Sequence, residues 1–218
     1  MGTMARWSAV MLLGASLPAT AQQTPVIDNE RVTVWDVRLA KGESAPATPH
    51  DMDTVIMFLE GGRIRTLVAG GKITTAARRF GDAVFVPRGT DAILTPLSER
   101  GAHEIVVALK DYRAPVVVNT TGLPAAFPRP GAVRVLDNDR VTAWHYTWTP
   151  GVPTPMHFHD KDVVVAFRYD GTLKSVTPDG ASVSNPYKAG DIRFSKANRS
   201  HYEELTTDRQ SAVMMELK

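Results

Sequence analysis

The chain repeats itself, and that constrains its fold more than any local pattern. Val26 to Ala92 aligns with Val135 to His201 at one constant offset and without a gap. Val26-Ile27-Asp28-Asn29-Glu30-Arg31-Val32-Thr33-Val34-Trp35 faces Val135-Leu136-Asp137-Asn138-Asp139-Arg140-Val141-Thr142-Ala143-Trp144. Further on, His50-Asp51-Met52-Asp53 faces His159-Asp160-Lys161-Asp162, and Phe58, Gly62, Gly71, Gly81 and Phe85 face Phe167, Gly171, Gly180, Gly190 and Phe194. Chance does not hold register over such a span, so the chain carries two copies of one unit.

Each copy reads as β-structure. Runs such as Val32-Thr33-Val34-Trp35-Asp36-Val37, Thr54-Val55-Ile56-Met57-Phe58-Leu59 and Val163-Val164-Val165-Ala166-Phe167 are alternating or β-branched. Gly, Pro and Asp turns part them at short spacing, and helical periodicity is nearly absent. Many short strands per copy predict an all-β fold of two tandem jelly-roll barrels. The proline-rich stretch Leu123 to Gly131 reads as a semi-rigid linker, with the boundary placed at Pro128. The expected division is therefore 22–127 for the first barrel and 128–218 for the second.

Before the first copy, Arg6 gives a short basic start, Ser8 to Leu17 a mostly apolar run and Ala19-Thr20-Ala21 a small-residue cleavage site. Residues 1–21 are expected to be a signal peptide, removed to leave a secreted or periplasmic protein. The apolar run falls short of the ~20 residues of a membrane span, and no later segment approaches that length. With 43% hydrophobic and 22% charged residues the chain has the ordinary globular mix. An exported chain without cysteine has no disulfide framework, so a buried core must hold it together. A net charge of +2 without a basic run argues against nucleic acid as a partner.

Chemistry gathers in the second copy. His157-Phe158-His159 follows a proline-marked turn and enters a strand, where residues two apart face one side. His201 comes later, at a distance that lets a neighbouring strand bring it beside that pair. Three imidazoles converging in a barrel make a seat for a divalent transition metal (Fe, Mn, Zn, Ni or Cu), with positions left open for water or substrate.

In this spacing the chain resembles the cupin superfamily. Gly151, five residues, His157-Phe158-His159, then Gly190 and His201 look like the two cupin motifs, and the duplication makes the whole similar to a bicupin. The resemblance implies a metal-binding barrel. It also exposes departures. Cupins usually place a glutamate ligand three or four residues after the second histidine, where this chain has Val163 and Val164. Asp162, one position early, and Glu203, two residues past His201 on the same face, are the candidate replacements. Lys196 and Asn198 stand in place of the proline and glycine of the second motif, and Asn tolerates the left-handed turn that glycine would make.

The first copy serves as an internal control. Thr48 and Ala92 occupy the positions of His157 and His201, and His50 alone matches His159, so this half is expected to be a degenerate scaffold without a metal. Asp51 and Asp53 are the counterparts of Asp160 and Asp162 in that metal-less half, which favours a turn or capping role for the acidic pair. His145 is expected at the surface or an interface, and His103 and Glu104 in solvent. Arg193 is a candidate for an anionic substrate.

The functional expectation is a metal-dependent enzyme acting on a small organic molecule, dioxygenase-like by resemblance to cupin oxygenases that use a three-histidine shell. The alternative is a non-catalytic small-ligand binding or sensing protein of the cell envelope. A structural protein without ligand is the third reading. Exposed strand edges invite pairing, which makes a homodimer a candidate assembly.

Overall fold

The computed structural model describes residues 24–46, 51–112 and 114–218. The signal peptide expected at 1–21, Thr48 and His50 lie outside these residues. Eighteen strands and no helix form four antiparallel sheets among the described residues. No helix there is long and apolar enough to cross a membrane.

The first copy supplies β1 (Ile27–Asp28), β2 (Val32–Leu39), β3 (Ala45–Pro46), β4 (Asp53–Glu60), β5 (Arg63–Val68), β6 (Lys72–Ala77), β7 (Ala83–Val86), β8 (Ala92–Pro96) and β9 (Ala102–Leu109). They pair in the orders β1-β2-β9-β4-β7 and β3-β8-β5-β6. The second copy supplies β10 (Val133–Asp137), β11 (Val141–Trp148), β12 (His157–His159), β13 (Asp162–Phe167), β14 (Gly171–Val176), β15 (Ser182–Tyr187), β16 (Ile192–Ser195), β17 (Arg199–Leu205) and β18 (Gln210–Leu217). Its sheets run β10-β11-β18-β13-β16 and β12-β17-β14-β15, which is the same order strand for strand. The arrangement fits the jelly-roll barrel expected from the sequence.

Burial explains why several strands read as unbroken apolar runs. Each half encloses its own cluster between its two sheets: Ile56, Phe58, Ile64, Val86 and Leu94 in the first, and Trp148, Val163, Val165, Phe167, Leu173 and Met214 in the second. The alternate residues of the same strands, Val55, Met57, Ile105 and Val107 against Val164, Ala166, Val213 and Met215, form a third cluster shared by both halves. The five-stranded sheets are thus covered on both faces, so β4, β9, β13 and β18 have no solvent side to mark with polar residues.

Charge pairs cross this joint at corresponding places. Arg31 lies 3.8 Å from Asp162, and its counterpart Arg140 lies 2.6 Å from Asp53. Asp162 also accepts from the backbone N–H of Ala197, as Asp53 does from that of Arg88. The second member of each acidic pair singled out in the sequence, Asp53 and Asp162, therefore has a structural duty in both copies. At the other end, His145 packs edge-on to Phe80, and a Cβ on Gly81 would stand 2.9 Å from the His145 ring. His145 is an interface residue.

The solvent placement expected of His103 and Glu104 fails here. His103 and Glu104 are buried at 5% and 2% exposure. They sit on β9, the central strand of a sheet covered by the second half on one face and by its own half on the other, so the solvent they were expected to meet is replaced by protein. His103 is 2.7 Å from Asp36, while Glu104 points to the interior of the first half and its Oε1 has no hydrogen-bond partner. In addition, the residues just before Pro128 pack with the second half. Ala126 donates to the carbonyl of Phe158, Phe158 to that of Pro124, and Phe127 stacks on Trp144 at 5.1 Å.

Candidate metal centre

The pairing of β12 with β17 builds the site. His157 stands directly opposite His201 and His159 opposite Arg199, so the side-chain alternation of two strands aims three imidazoles at one point. The turn that returns β17 passes through Asn198, whose φ of 61° is the left-handed conformation expected of it, and its N–H donates to the carbonyl of His159. The counterpart in the first half is Gly89, also at positive φ.

The Nε2 atoms of His157 and His159 are 3.1 Å apart and those of His159 and His201 3.2 Å apart. All three rings are buried. His157 Nδ1 lies 2.7 Å from the carbonyl oxygen of Pro155. A carbonyl only accepts, so Nδ1 carries the proton and Nε2 presents a bare lone pair, the arrangement that orients a ligating histidine. His201 Nδ1 is 3.2 Å from Ser175 Oγ. Burial holds all three rings below the ordinary imidazole range. His159 is lowered furthest, with Arg199 adding to the effect, and His201 comes down to about 4 although Glu203 opposes it. Neutral rings at neutral pH are what a metal requires.

The donor spacing fits an ion. Metal–nitrogen bonds of about 2.0–2.1 Å at angles between octahedral and tetrahedral put adjacent nitrogens about 2.9–3.4 Å apart. The three histidines are the cluster of potential ligands found among the described residues, their donor atoms lying within 4.8 Å of one another.

The two acidic candidates take other places. Asp162 does not reach the cluster, because its carboxylate is held by Ala197 N–H and lies beside the Arg31 guanidinium. Glu203 shares the His201 face of β17, but its Oε1 is 4.0 Å from His201 Nε2. Its Oε2 accepts from Trp148 Nε1 at 3.2 Å and meets Arg129 at 3.5 Å. Burial alone would raise the Glu203 pKa, yet Arg129, His201, His157 and Arg199 together outweigh it and keep the carboxylate below its usual range.

Beside the imidazoles lies a cavity of about 240 Å³. Val163, Val165, Phe167, Leu173 and Met214 form its apolar wall, and Arg199, Glu203 and Tyr187 its polar one. Val163, at a position where the cupin pattern has glutamate, faces this space, whereas Val164 faces the joint between the halves. Arg193 reaches the cavity but pairs with Asp191 at 3.0 Å. Sequence reasoning passed over Arg129 and Arg199. The second was within reach, since Arg199, His201 and Glu203 alternate on one strand face. Arg129 had no signal, because it arrives from the proline-rich segment and is fixed by stacking on Tyr146 and Phe127.

No known family profile matches the chain. It is 38% identical over 81 residues to the beta-alanine degradation protein BauB of Pseudomonas aeruginosa, a match over 37% of this chain and 80% of that protein. Its fold matches a cupin 2 conserved barrel domain protein from Leptotrichia buccalis with a TM-score of 0.56 at 15% identity, over 94% and 93% of the two chains. The chain is a cupin. The fold also matches the oxalate decarboxylase of Bacillus subtilis with a TM-score of 0.60 at 15% identity, over 87% of this cupin and 69% of that enzyme. Manganese centres are named for that enzyme, and in this cupin the three-histidine cluster is the group suited to a metal.

Proposed function

We propose that the protein is an exported bicupin whose second half holds one divalent transition metal on His157, His159 and His201 and acts on a small organic molecule as a dioxygenase-type enzyme. One observation carries the reading: three buried Nε2 atoms, spaced at 3.1 and 3.2 Å, stand beside a cavity. The matching sheet orders of the two halves support the division into two cupin domains. The signal-like residues 1–21 support export.

When bound, the metal would act as a Lewis acid and, for a redox-active ion, as the site of dioxygen activation. The chain's own residues do the rest. Pro155 fixes the His157 tautomer, the apolar wall excludes water from the substrate, and Trp148 and Arg129 hold Glu203 ionised within reach of His201. Incorporation of both atoms of dioxygen into the substrate balances without a separate reductant.

Elemental analysis of the mature protein from its own host tests the site. Wild type is expected to carry about one metal ion per chain and His157→Ala none, with dioxygen uptake in the presence of small organic substrates confined to wild type. Equal metal content in the two proteins would refute the assignment.

A further inference from the structure

Charges around the cavity are matched in pairs, with one exception. Arg129 meets Glu203, and Arg193 meets Asp191. Arg199 points into the cavity from the strand that carries His201, yet no carboxylate lies within ion-pair distance of it among the described residues. Its Nε donates to the carbonyl of Lys196 at 3.0 Å, and Nη1 approaches His201 Nε2 at 3.5 Å. That leaves the guanidinium's outer donors aimed at open space beside the imidazoles.

A half-buried cation next to a divalent ion on three neutral ligands is electrostatically incomplete. Glu203 is in contact with Arg129 and acts on Arg199 only through space, so one carboxylate faces two guanidinium groups and a net positive field is left in a water-poor space. Such a field favours an anion strongly. Guanidinium has the donor geometry to take a carboxylate with two parallel hydrogen bonds. The opposite wall is apolar, and the cavity of about 240 Å³ has room for roughly eight waters at ~30 Å³ each, hence for a molecule of few carbons.

We propose that the cavity binds a short-chain carboxylate, with Arg199 taking the carboxylate and Val163, Val165, Leu173 and Met214 packing its carbon chain. The proposal rests on the metal-centre reading and names the substrate class of that site. Arg199 is the residue that sets specificity for charge, and the apolar wall sets the length of the chain.

Calorimetric titration of zinc-loaded protein with acetate, propionate and butyrate, and with propionamide and butyramide as neutral twins, tests it. Each acid is expected to bind at least tenfold more tightly than its amide, and affinity to rise by about fourfold per methylene until the cavity is full. Arg199→Gln is expected to abolish the preference for the acid while zinc content stays at the wild-type value, and Arg199→Lys to retain part of it. Equal binding of acid and amide by wild type, or no binding of either, overturns the proposal without recourse to any variant. So does an Arg199→Gln protein that keeps both its zinc and the preference. If wild type takes up no zinc, the metal-centre reading fails instead. The same titration on metal-free protein then decides the role of Arg199 by itself, since its guanidinium faces the cavity with or without an ion.

Discussion

Glu104 allows a quantitative test of how tightly the first half is closed. Its carboxyl lies in the cluster between β4 and β8, one Oε has no partner, and burial raises its pKa from 4.5 to about 7. In the unfolded chain the group ionises with the ordinary value. Below pH 4.5 both states are protonated and the group contributes nothing. Between pH 4.5 and 7 the unfolded chain loses its proton while the folded chain keeps it, so folding is increasingly disfavoured. Above pH 7 the penalty is complete. A difference of 2.5 units at about 1.4 kcal/mol each amounts to about 3 kcal/mol. Glu104→Gln keeps the shape and removes the ionisation. The stability gap between variant and wild type should therefore widen by about 3 kcal/mol from pH 4.5 to pH 8, or roughly 6–12 °C in melting temperature for a chain of this size. Thermal or urea unfolding of the two proteins side by side measures it, and other titrating groups cancel in the difference. A gap that stays constant across that range would mean the carboxyl meets water or a cation in the folded protein, and the reasoning would be wrong.

Three further outcomes are expected. Asp162→Asn should cost about 3 kcal/mol by leaving Arg31 without its counter-charge, while metal content per chain stays at the wild-type value; parallel loss of metal would return Asp162 to the ligand set. Mass spectrometry of protein from the extracytoplasmic fraction should find Gln22 at the N-terminus, and an intact N-terminus there would refute the cleavage. Residues 124–218 produced alone should aggregate or dimerise through Val164, Ala166, Val213 and Met215, as followed by light scattering; a stable monomer would show that the shared cluster is dispensable.

The repeat made the duplicated β-fold legible because register, unlike strand propensity, survives substitution. The pair His157 and His159 was legible from the two-residue period of a strand, and His201 from the motif spacing. What escaped was whatever depends on which elements cover a strand. A β9 strand reading Ala-His-Glu-Ile-Val-Val-Ala-Leu looks half-solvated when taken alone, and only the sheets laid over its two faces show that His103 meets the other half and Glu104 the interior of its own, so that neither has water to face. Arg129 escaped for a similar reason. A proline-rich stretch announces a connection, but nothing in its composition says that Phe127 will stack on Trp144 and carry the next arginine under the floor of a cavity.

The contact between the halves accounts for a first half that matches the second in sheet order but not in ligands. Val163, Val165 and Met214 line the cavity from one face of β13 and β18, while Val164, Ala166 and Met215 on the other face rest on Val55, Met57 and Val107 of the first half. A sheet packed on both sides cannot shift one face without disturbing the other. The first half therefore acts as the backing that fixes the cavity wall at a constant distance from the imidazoles. On this account substitutions such as Met57→Ala or Val107→Ala, remote from every ligand, should loosen carboxylate binding as well as lower stability. Their counterparts on the exposed β6 strand, where nothing leans on the second half, should leave binding unchanged.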